Sequence, residues 1–542
     1  MVTSSTSENS FLAALRGGLP EVLPEFLRSR RWFGGKARTI HSVEVSDVVP
    51  LYQESSHSYL LLVKVRYTSG PDQTYHIPLV RMKWEPLNRN DGTASLRLRS
   101  ENSSEEIVLT DALSNEQFLS RLLDSVARGH SFPGARGEVR AACTSALRQL
   151  WEPSQRPLTP SLMNVEQSNS SIVFEKRLVL KIFRRVEEGI NPDLEIGSFL
   201  TERTSFRNIP LLAGSLEYLI NRGTRMSLGG LQGYVTNQGD AWQFTLRALA
   251  EYYGKMRQAA GLEANEIPRA TTLALCDQPI PDEASKRIGQ YLESAALLGK
   301  RTAELHMALS SERQDPAFSP EDFSEAKRKA LVESAVDLLA SNFDLLRRHK
   351  SGMPEHIQRE ADNVLRLEQK TRQRFQLLRK IQPSSMLTRI HGDYHLGQVL
   401  FTGSDFVIID FEGEPARPLE DRRQKRSPLQ DVAGMLRSFH YAAYAPLLQQ
   451  ASNQTRGDDK LQVFGSWAHY WQVWVSVAFL KTYLDSSADC PSIPVNREEL
   501  AVLLDTYLLD KAVYELGYEL NNRPAWVRIP LDGISQLLRS TA

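Results

Sequence analysis

Cysteine is scarce in this chain. Cys143, Cys276 and Cys490 are the only three in 542 residues; they lie far apart and form no CxxC pair, which excludes a disulfide scaffold and a thiolate metal site. A reducing cytoplasm is the expected setting. Net charge is missing too: 65 Lys and Arg stand against 65 Asp and Glu. That balance gives no basic footprint for nucleic acid and no cationic field for an anionic membrane. No apolar run approaches the roughly 20 residues of a spanning helix. The N-terminal MVTSSTSENSFLAALRGG has no positive charge ahead of its apolar patch, so no secretory signal is expected. Two common nucleotide signatures are absent as well. WFGGKA comes nearest to a P-loop, but Ala37 follows its lysine; LGGLQG at 228–233 is not GxGxxG and opens no helix.

What remains is an ordinary globular composition, 41% hydrophobic and 24% charged, on a chain long enough for two or three domains and a large core. After a short amphipathic helix, SVEVSDVVPL, YLLLVKVRY and YHIPLVRMKW read as antiparallel strands. NDGTASLRLRSENSS, at 90–104, reads as a polar surface connection, and SNEQFLSRLLDSVARG as a helix with a serine N-cap. From about residue 160 the order is strand, strand, helix, strand, strand: two strands joined by EKR, the helix PDLEIGSFLTER, then LEYLINRG and MSLGGLQGYVTN. Beyond Trp242 the chain turns helical. YLESAALLGKRTAELHMAL, EAKRKALVESAVDLLASNFDLLRR and EHIQREADNVLRLEQKTRQRFQLLRKI each predict one long helix. The expected boundaries are 1–130 for an N-terminal domain, 131–242 for a small sheet lobe and 243–542 for a helical lobe.

The clear interruption in that helical region is 391–414, HGDYHLGQVLFTGSDFVIIDFEGE. His391 and His395 have the four-residue spacing of a zinc pair. Gly392 and Gly397 make the segment a loop, however, and no third ligand follows; hydrogen bonding to loop backbone is the plainer role for both histidines. Phosphoryl transfer fits better. It needs an aspartate to take the hydroxyl proton, an amide or carboxylate oxygen a few residues on, and a second aspartate after an apolar strand to hold magnesium against the phosphates. Asp393, Gln398 five residues later and Asp410 twelve further supply these in order, with a hairpin turn at TGSD. Upstream, EQSNSS offers Ser168, Asn169 and Ser170 as a phosphate-covering turn between strands. Lys181 sits in the strand LVLKIF, and Glu195 on the next helix is its expected ion-pair partner. A strand lysine is otherwise commonly just solvent-facing.

These motifs resemble the bacterial maltokinases, members of the aminoglycoside-phosphotransferase-like branch of the protein-kinase fold. HGDYHLGQVL, IIDFEGEP and RSPLQDVAGMLRSF carry the likeness, joined by RRWFGGK, EQSNSSIVF, VLKIFRRVEEGINPDLEIGSFL, QGYVTNQGDAW and YELGYELNNRPAWVRIP. It spans nearly the whole chain. The fold implied is α+β: a two-lobed eukaryotic-protein-kinase-like fold, with a small antiparallel-sheet lobe and a large helical lobe, behind an N-terminal β-rich cap domain.

The resemblance also implies ATP-dependent, magnesium-dependent phosphorylation of maltose to maltose 1-phosphate in α-glucan and trehalose metabolism. Asp393 would be the catalytic base, and Gln398 and Asp410 the metal ligands. Lys181 would meet the α- and β-phosphates, braced by Glu195, while Gln232 and Tyr234 flank the adenine. Asp431 would brace the catalytic loop. Family members are often fused to trehalose synthase, and this chain is expected to extend no further than the kinase; association with that enzyme is the implied partnership. Candidates for sugar contact are His391, His395, Glu412 and Glu414 by the loop, and Tyr514, Tyr518, Glu519 and Arg523 near the C-terminus. A tyrosine pair four apart on a helix is otherwise commonly core. A kinase of another sugar, particularly glucosamine, would carry the same phosphate machinery. A non-catalytic sugar or nucleotide sensor would be expected to have lost it.

Overall fold

Alternating apolar residues build two antiparallel sheets in the first half of the chain. The computed structural model describes residues 2–51, 57–82, 95–99, 106–152, 157–163, 169–220, 223–257, 268, 270–452 and 457–539, in two compact units, Met1–Thr236 and Asn237–Ala542. In the first unit, one sheet runs in the order Ile40–Leu51, Ser58–Tyr67, Gln73–Met82, Glu106–Asp111, Leu96–Arg99. Its core joins Tyr59, Leu61 and Val63 to Leu15, Leu19 and Leu23 of the helix Val2–Ser29, which is longer than the short helix expected. The strand Leu96–Arg99 falls where a polar connection was expected. Its L-R-L-R alternation explains the difference: Leu96 and Leu98 are buried while Arg97 is exposed. Trp84 and most of the remaining polar stretch lie outside the described residues.

The second sheet has seven strands in the order Ser131–Pro133, Gly137–Cys143, Leu212–Ile220, Arg225–Gly233, Leu178–Phe183, Asn169–Phe174, Pro160–Leu162. The tight three-residue turn between Phe174 and Leu178 places Glu175 and Lys176 at φ 48° and 55°, and Arg177 N donates to Phe174 O at 2.9 Å to close it. The helix Glu116–Arg128 lays Phe118, Leu119, Leu122 and Val126 into this core. Its N-cap is Asn115 rather than the serine before it: the Asn115 amide oxygen accepts from Phe118 N at 2.8 Å.

The second unit is mainly helical. Tyr291–Leu309 packs on Gly457–Ser486, where a side chain at Gly299 would lie 2.2 Å from Phe479 O, so close approach requires glycine. The predicted single helix from Glu355 is two, Glu355–Arg366 and Glu368–Leu377. Leu367, at φ −87° and ψ 0°, donates to Val364 O in a tighter turn that interrupts the ladder. Leu429–Ser452 and Arg497–Asn522 complete the frame. No helix among the described residues is long and apolar enough to cross a membrane.

Candidate active site

The loop 391–398 owes its shape to a buried acid beneath it. Asp431 opens the helix Leu429–Ser452, and its carboxylate accepts from His391 N at 2.8 Å and Gly392 N at 2.9 Å. His306 Nε2 lies 3.1 Å from the same carboxylate, and its Nδ1 lies 2.9 Å from Tyr483 OH. Burial opposes the charge on Asp431, but the bonds from His306 and the loop backbone outweigh it and hold the carboxyl below its usual range. The bracing expected of Asp431 is thus visible in its bonds. Ser438 Oγ accepts from Leu396 N at 3.1 Å, and Gly434 lets the helix approach the loop: a Cβ there would lie 2.6 Å from Tyr394 O.

Asp393 projects from this braced loop and is 24% exposed. Its nearest basic neighbours stand off at 3.9 Å each, Lys511 Nζ from Oδ1 and His395 Nε2 from Oδ2. His391 goes the other way. It is buried, with Nε2 2.9 Å from Ile409 O and Nδ1 3.4 Å from Asp393 N, so this sugar candidate is a loop-shaping residue behind the site. His395 Nδ1 accepts from Gly397 N at 3.1 Å, and burial lowers the imidazole's pKa, so it is neutral at physiological pH.

Gln398 and Asp410 sit at one end of the hairpin Val399–Phe401/Phe406–Ile408. Gln398 O accepts from Ile409 N at 3.0 Å, which fixes the two positions near one another in the ladder. Asp410 has φ 67°, a left-handed turn that aspartate tolerates better than most residues. The hairpin is anchored by Arg301, which forks onto the Asp405 carboxylate at 2.9 and 2.7 Å. An amide oxygen and a carboxylate at one strand end are hard donors of the kind magnesium takes.

Beside Asp393 opens a cavity of about 630 Å³. His395, Glu414, Tyr514, Tyr518, Glu519 and Arg523 line it, so six of the eight sugar candidates share one pocket. Glu412 is not on this wall; its carbonyl accepts from Arg422 Nη1 at 3.2 Å. Tyr514 is half-buried and Tyr518 is 45% exposed, so the pair is pocket wall rather than core.

The three glutamates of the pocket are each bound to an arginine. Arg417 Nε is 2.9 Å from Glu414, Arg437 reaches Glu515 at 2.6 and 2.9 Å, and Arg523 reaches Glu519 at 2.6 and 3.0 Å. Burial pushes the Glu414 carboxyl up, but Tyr514 and Arg417 bond to it and bring it below its usual range. Burial leaves Glu519 raised. Arg523 also stacks over Trp526, 4.6 Å from the ring centre. Trp242, Tyr441 and Lys511 line the pocket as well, and the sequence reading did not single them out. For Lys511 a signal existed: it precedes Tyr514 by three and shares its helix face.

In the first unit, Lys181 Nζ lies 3.5 Å from Asp193 Oδ2, and Gln232 Nε2 lies 3.5 Å from the same oxygen. Two predicted residues therefore meet on an acid the sequence reading passed over. Asn191 caps the helix Pro192–Arg203 through Asp193 N at 2.9 Å, and Glu195 stands half-buried in the same first turn. Asn169 and Ser170 open the strand facing Lys181's own, but Ser170 pairs with Ile182 and Lys181 with Ser171, so the Ser170 side chain points to the opposite face from Lys181. Its hydroxyl accepts from Arg184 Nε at 2.9 Å. Ser168 lies outside the described residues. Tyr234 N donates to Arg177 O at 2.8 Å just past the strand that carries Gln232.

Residues 26–114 match the family of the maltokinase N-terminal cap domain. The architecture is that of a kinase-like α+β fold. In solved structures, a glucosamine kinase in complex with glucosamine, ADP and inorganic phosphate superposes with a TM-score of 0.59 at 17% identity, covering 92% of this chain and 94% of that one. In sequence, the chain is 25% identical over 259 residues to a glucosamine kinase of Streptacidiphilus jiangxiensis, covering 46% of this chain and about half, 50%, of that relative's length. A glucosamine kinase of Mycolicibacterium smegmatis is 45% identical over 53 residues, 10% of this chain and 13% of its own. The chain thus carries a match to the maltokinase N-terminal cap over its first part, and over about half its length it is similar to a glucosamine kinase.

Proposed function

We propose that this chain is an ATP-dependent sugar kinase that converts maltose to maltose 1-phosphate. The observation that carries the reading is the pocket beside Asp393. It is large enough for a disaccharide, its aromatic faces suit sugar rings, and its glutamates are each held by an arginine. A wall so compensated offers hydrogen bonds to a neutral sugar and no spare glutamate for an ammonium.

In this reading Asp393 accepts the proton of the anomeric hydroxyl as that oxygen attacks the γ-phosphorus, with Lys511 and His395 holding its orientation. Tyr514, Tyr518 and Trp526 position the sugar. Lys181, steadied by Asp193, meets the phosphates; of the three residues expected to cover them, Ser170 turns its side chain to the other face, which leaves that role to Ser168 and Asn169. Glu195 supports the same helix turn, and Gln232 and Tyr234 border the adenine. Gln398 and Asp410 would hold magnesium, which when bound neutralises charge on the transferring phosphoryl group. The proposed parts are a cap over 1–130, a nucleotide lobe over 131–242 and a catalytic lobe over 243–542. A cytoplasmic setting, a place in α-glucan and trehalose metabolism and association with trehalose synthase follow from the maltokinase likeness.

A second reading, glucosamine as acceptor, is favoured by the sequence relatives. The test is phosphoryl transfer from ATP to maltose, glucose, glucosamine and trehalose, with the product followed by ³¹P NMR. An anomeric phosphate on maltose is expected; turnover of none of these sugars overturns the kinase reading. Chelation should abolish transfer, with magnesium restoring it and zinc failing to.

A further inference from the structure

The helical unit contains a second cavity, of about 480 Å³, on the far side of the Arg437–Glu515 pair from the acceptor pocket. Glu515 lines the acceptor pocket and Arg437 lines the second cavity. The guanidinium is shared: Nε and Nη2 donate to Glu515, and Nη1 lies 2.6 Å from His440 Nδ1 on the second cavity's wall. One buried arginine of the second cavity's wall therefore holds a carboxylate of the acceptor pocket's wall.

The second cavity is built for a polar occupant. His469, Gln472 and Ser476 follow one another at three and four residues along the helix Gly457–Ser486, so they present one face, and all three line the space. Ser476 Oγ has no hydrogen-bond partner within the protein, and His469 Nδ1 and Gln472 Oε1, whose side chains stand close enough to bond to one another, have no other. Ser476 is fully buried. Leaving a buried hydroxyl without a partner is costly, so such a row calls for something to satisfy it. Leu436, Val473, Leu504 and Leu508 supply apolar wall between the polar groups.

Charge narrows the choice of ligand. Arg437 is committed to Glu515, and Asp505 lies 3.2 Å from Arg374. His440 is held neutral by burial, its pKa lowered to about 4. The remaining charged lining residue, Arg539, is exposed. The inner wall thus offers hydroxyl, amide and imidazole groups with aliphatic surface, the combination that recognises a sugar's hydroxyls and its C–H faces.

We propose that this cavity is a second small-molecule site, which takes a neutral polyhydroxylated ligand of sugar size and biases the acceptor pocket through Arg437 and Glu515. The coupling half of this rests on the acceptor reading; the binding half does not. By linkage, occupancy of one site must alter affinity at the other by the same factor.

The test is calorimetric titration of the full chain with maltose and, separately, D-glucose. Two classes of site are expected for at least one sugar. In Gln472→Leu combined with Ser476→Val, the second class should weaken at least tenfold while turnover at saturating acceptor is kept. If the double variant fails to fold, Ser476→Ala alone serves, with an expected loss of about threefold. Crystals soaked in the same sugars should show the ligand against His469, Gln472 and Ser476. A single class of site unaffected by these substitutions, or water alone in the soaked cavity, overturns the proposal. A second site in a protein that phosphorylates no sugar counts against the kinase reading only.

Discussion

Asp431 and Asp393 lie on either side of one loop and are opposites in how their charge is used. Asp431 is buried and fully engaged, by two backbone N–H groups and by His306. Asp393 is partly exposed, and its two basic neighbours stay at 3.9 Å. The contrast separates holding from reacting: a carboxylate whose lone pairs are taken by its own protein fixes geometry, and one left open can accept a proton from a substrate.

Breaking the reacting side should have the largest effect on rate. Asp393→Asn should lower kcat/KM by about 10²–10⁴ while nucleotide affinity by titration stays near wild type. Near-normal turnover in that variant would remove Asp393 from its role. Breaking the holding side should show first in stability. Asp431→Asn should cost roughly 3 kcal/mol in urea unfolding, since one amide cannot satisfy two N–H donors and an imidazole.

The acid limb sharpens the same point. The folded-state pKa of Asp431 is depressed, so its contribution is present above the ordinary carboxylate pKa of about 3.9 and is lost as pH falls through the depressed folded value. The stability gap between wild type and Asp431→Asn should therefore be flat near neutrality and narrow in acid. A gap that widened in acid would contradict the assignment.

Smaller effects should fall on one substrate at a time. Lys181→Met should raise KM for ATP by about tenfold and leave acceptor KM unchanged, as the loss of one phosphate-facing charge. Tyr518→Ala should raise acceptor KM by about threefold to fivefold, the worth of one aromatic face. Because Tyr518 is 45% exposed, the melting temperature should hardly move. A large fall in stability would instead mark Tyr518 as packing.

Much of this was legible in the sequence because the signals are local. The spacing of Asp393, Gln398 and Asp410 reflects one loop and one hairpin, and the helix Pro192–Arg203 begins at the proline that also marks it in the string. The misses are nonlocal or depend on a neighbour. Asn115 takes the cap from a serine one position away, and Leu96–Arg99 is a strand because its leucines found a core. Asp193, which no signal in the string marks out, meets both Lys181 and Gln232. Trp242 reaches the pocket from a segment more than a hundred residues from Asp393, where nothing in the string links the two. The pairing of Glu515 with Arg437 is likewise visible only once the chain is folded, whereas Glu414–Arg417 and Glu519–Arg523 lie three and four residues apart in the string.

These pairings are the basis for choosing a neutral sugar, so one ratio tests that choice most directly: kcat/KM for maltose against kcat/KM for glucosamine, measured on the same preparation with saturating ATP and magnesium. The account predicts a ratio well above one. Turnover of glucosamine with none of maltose would contradict it.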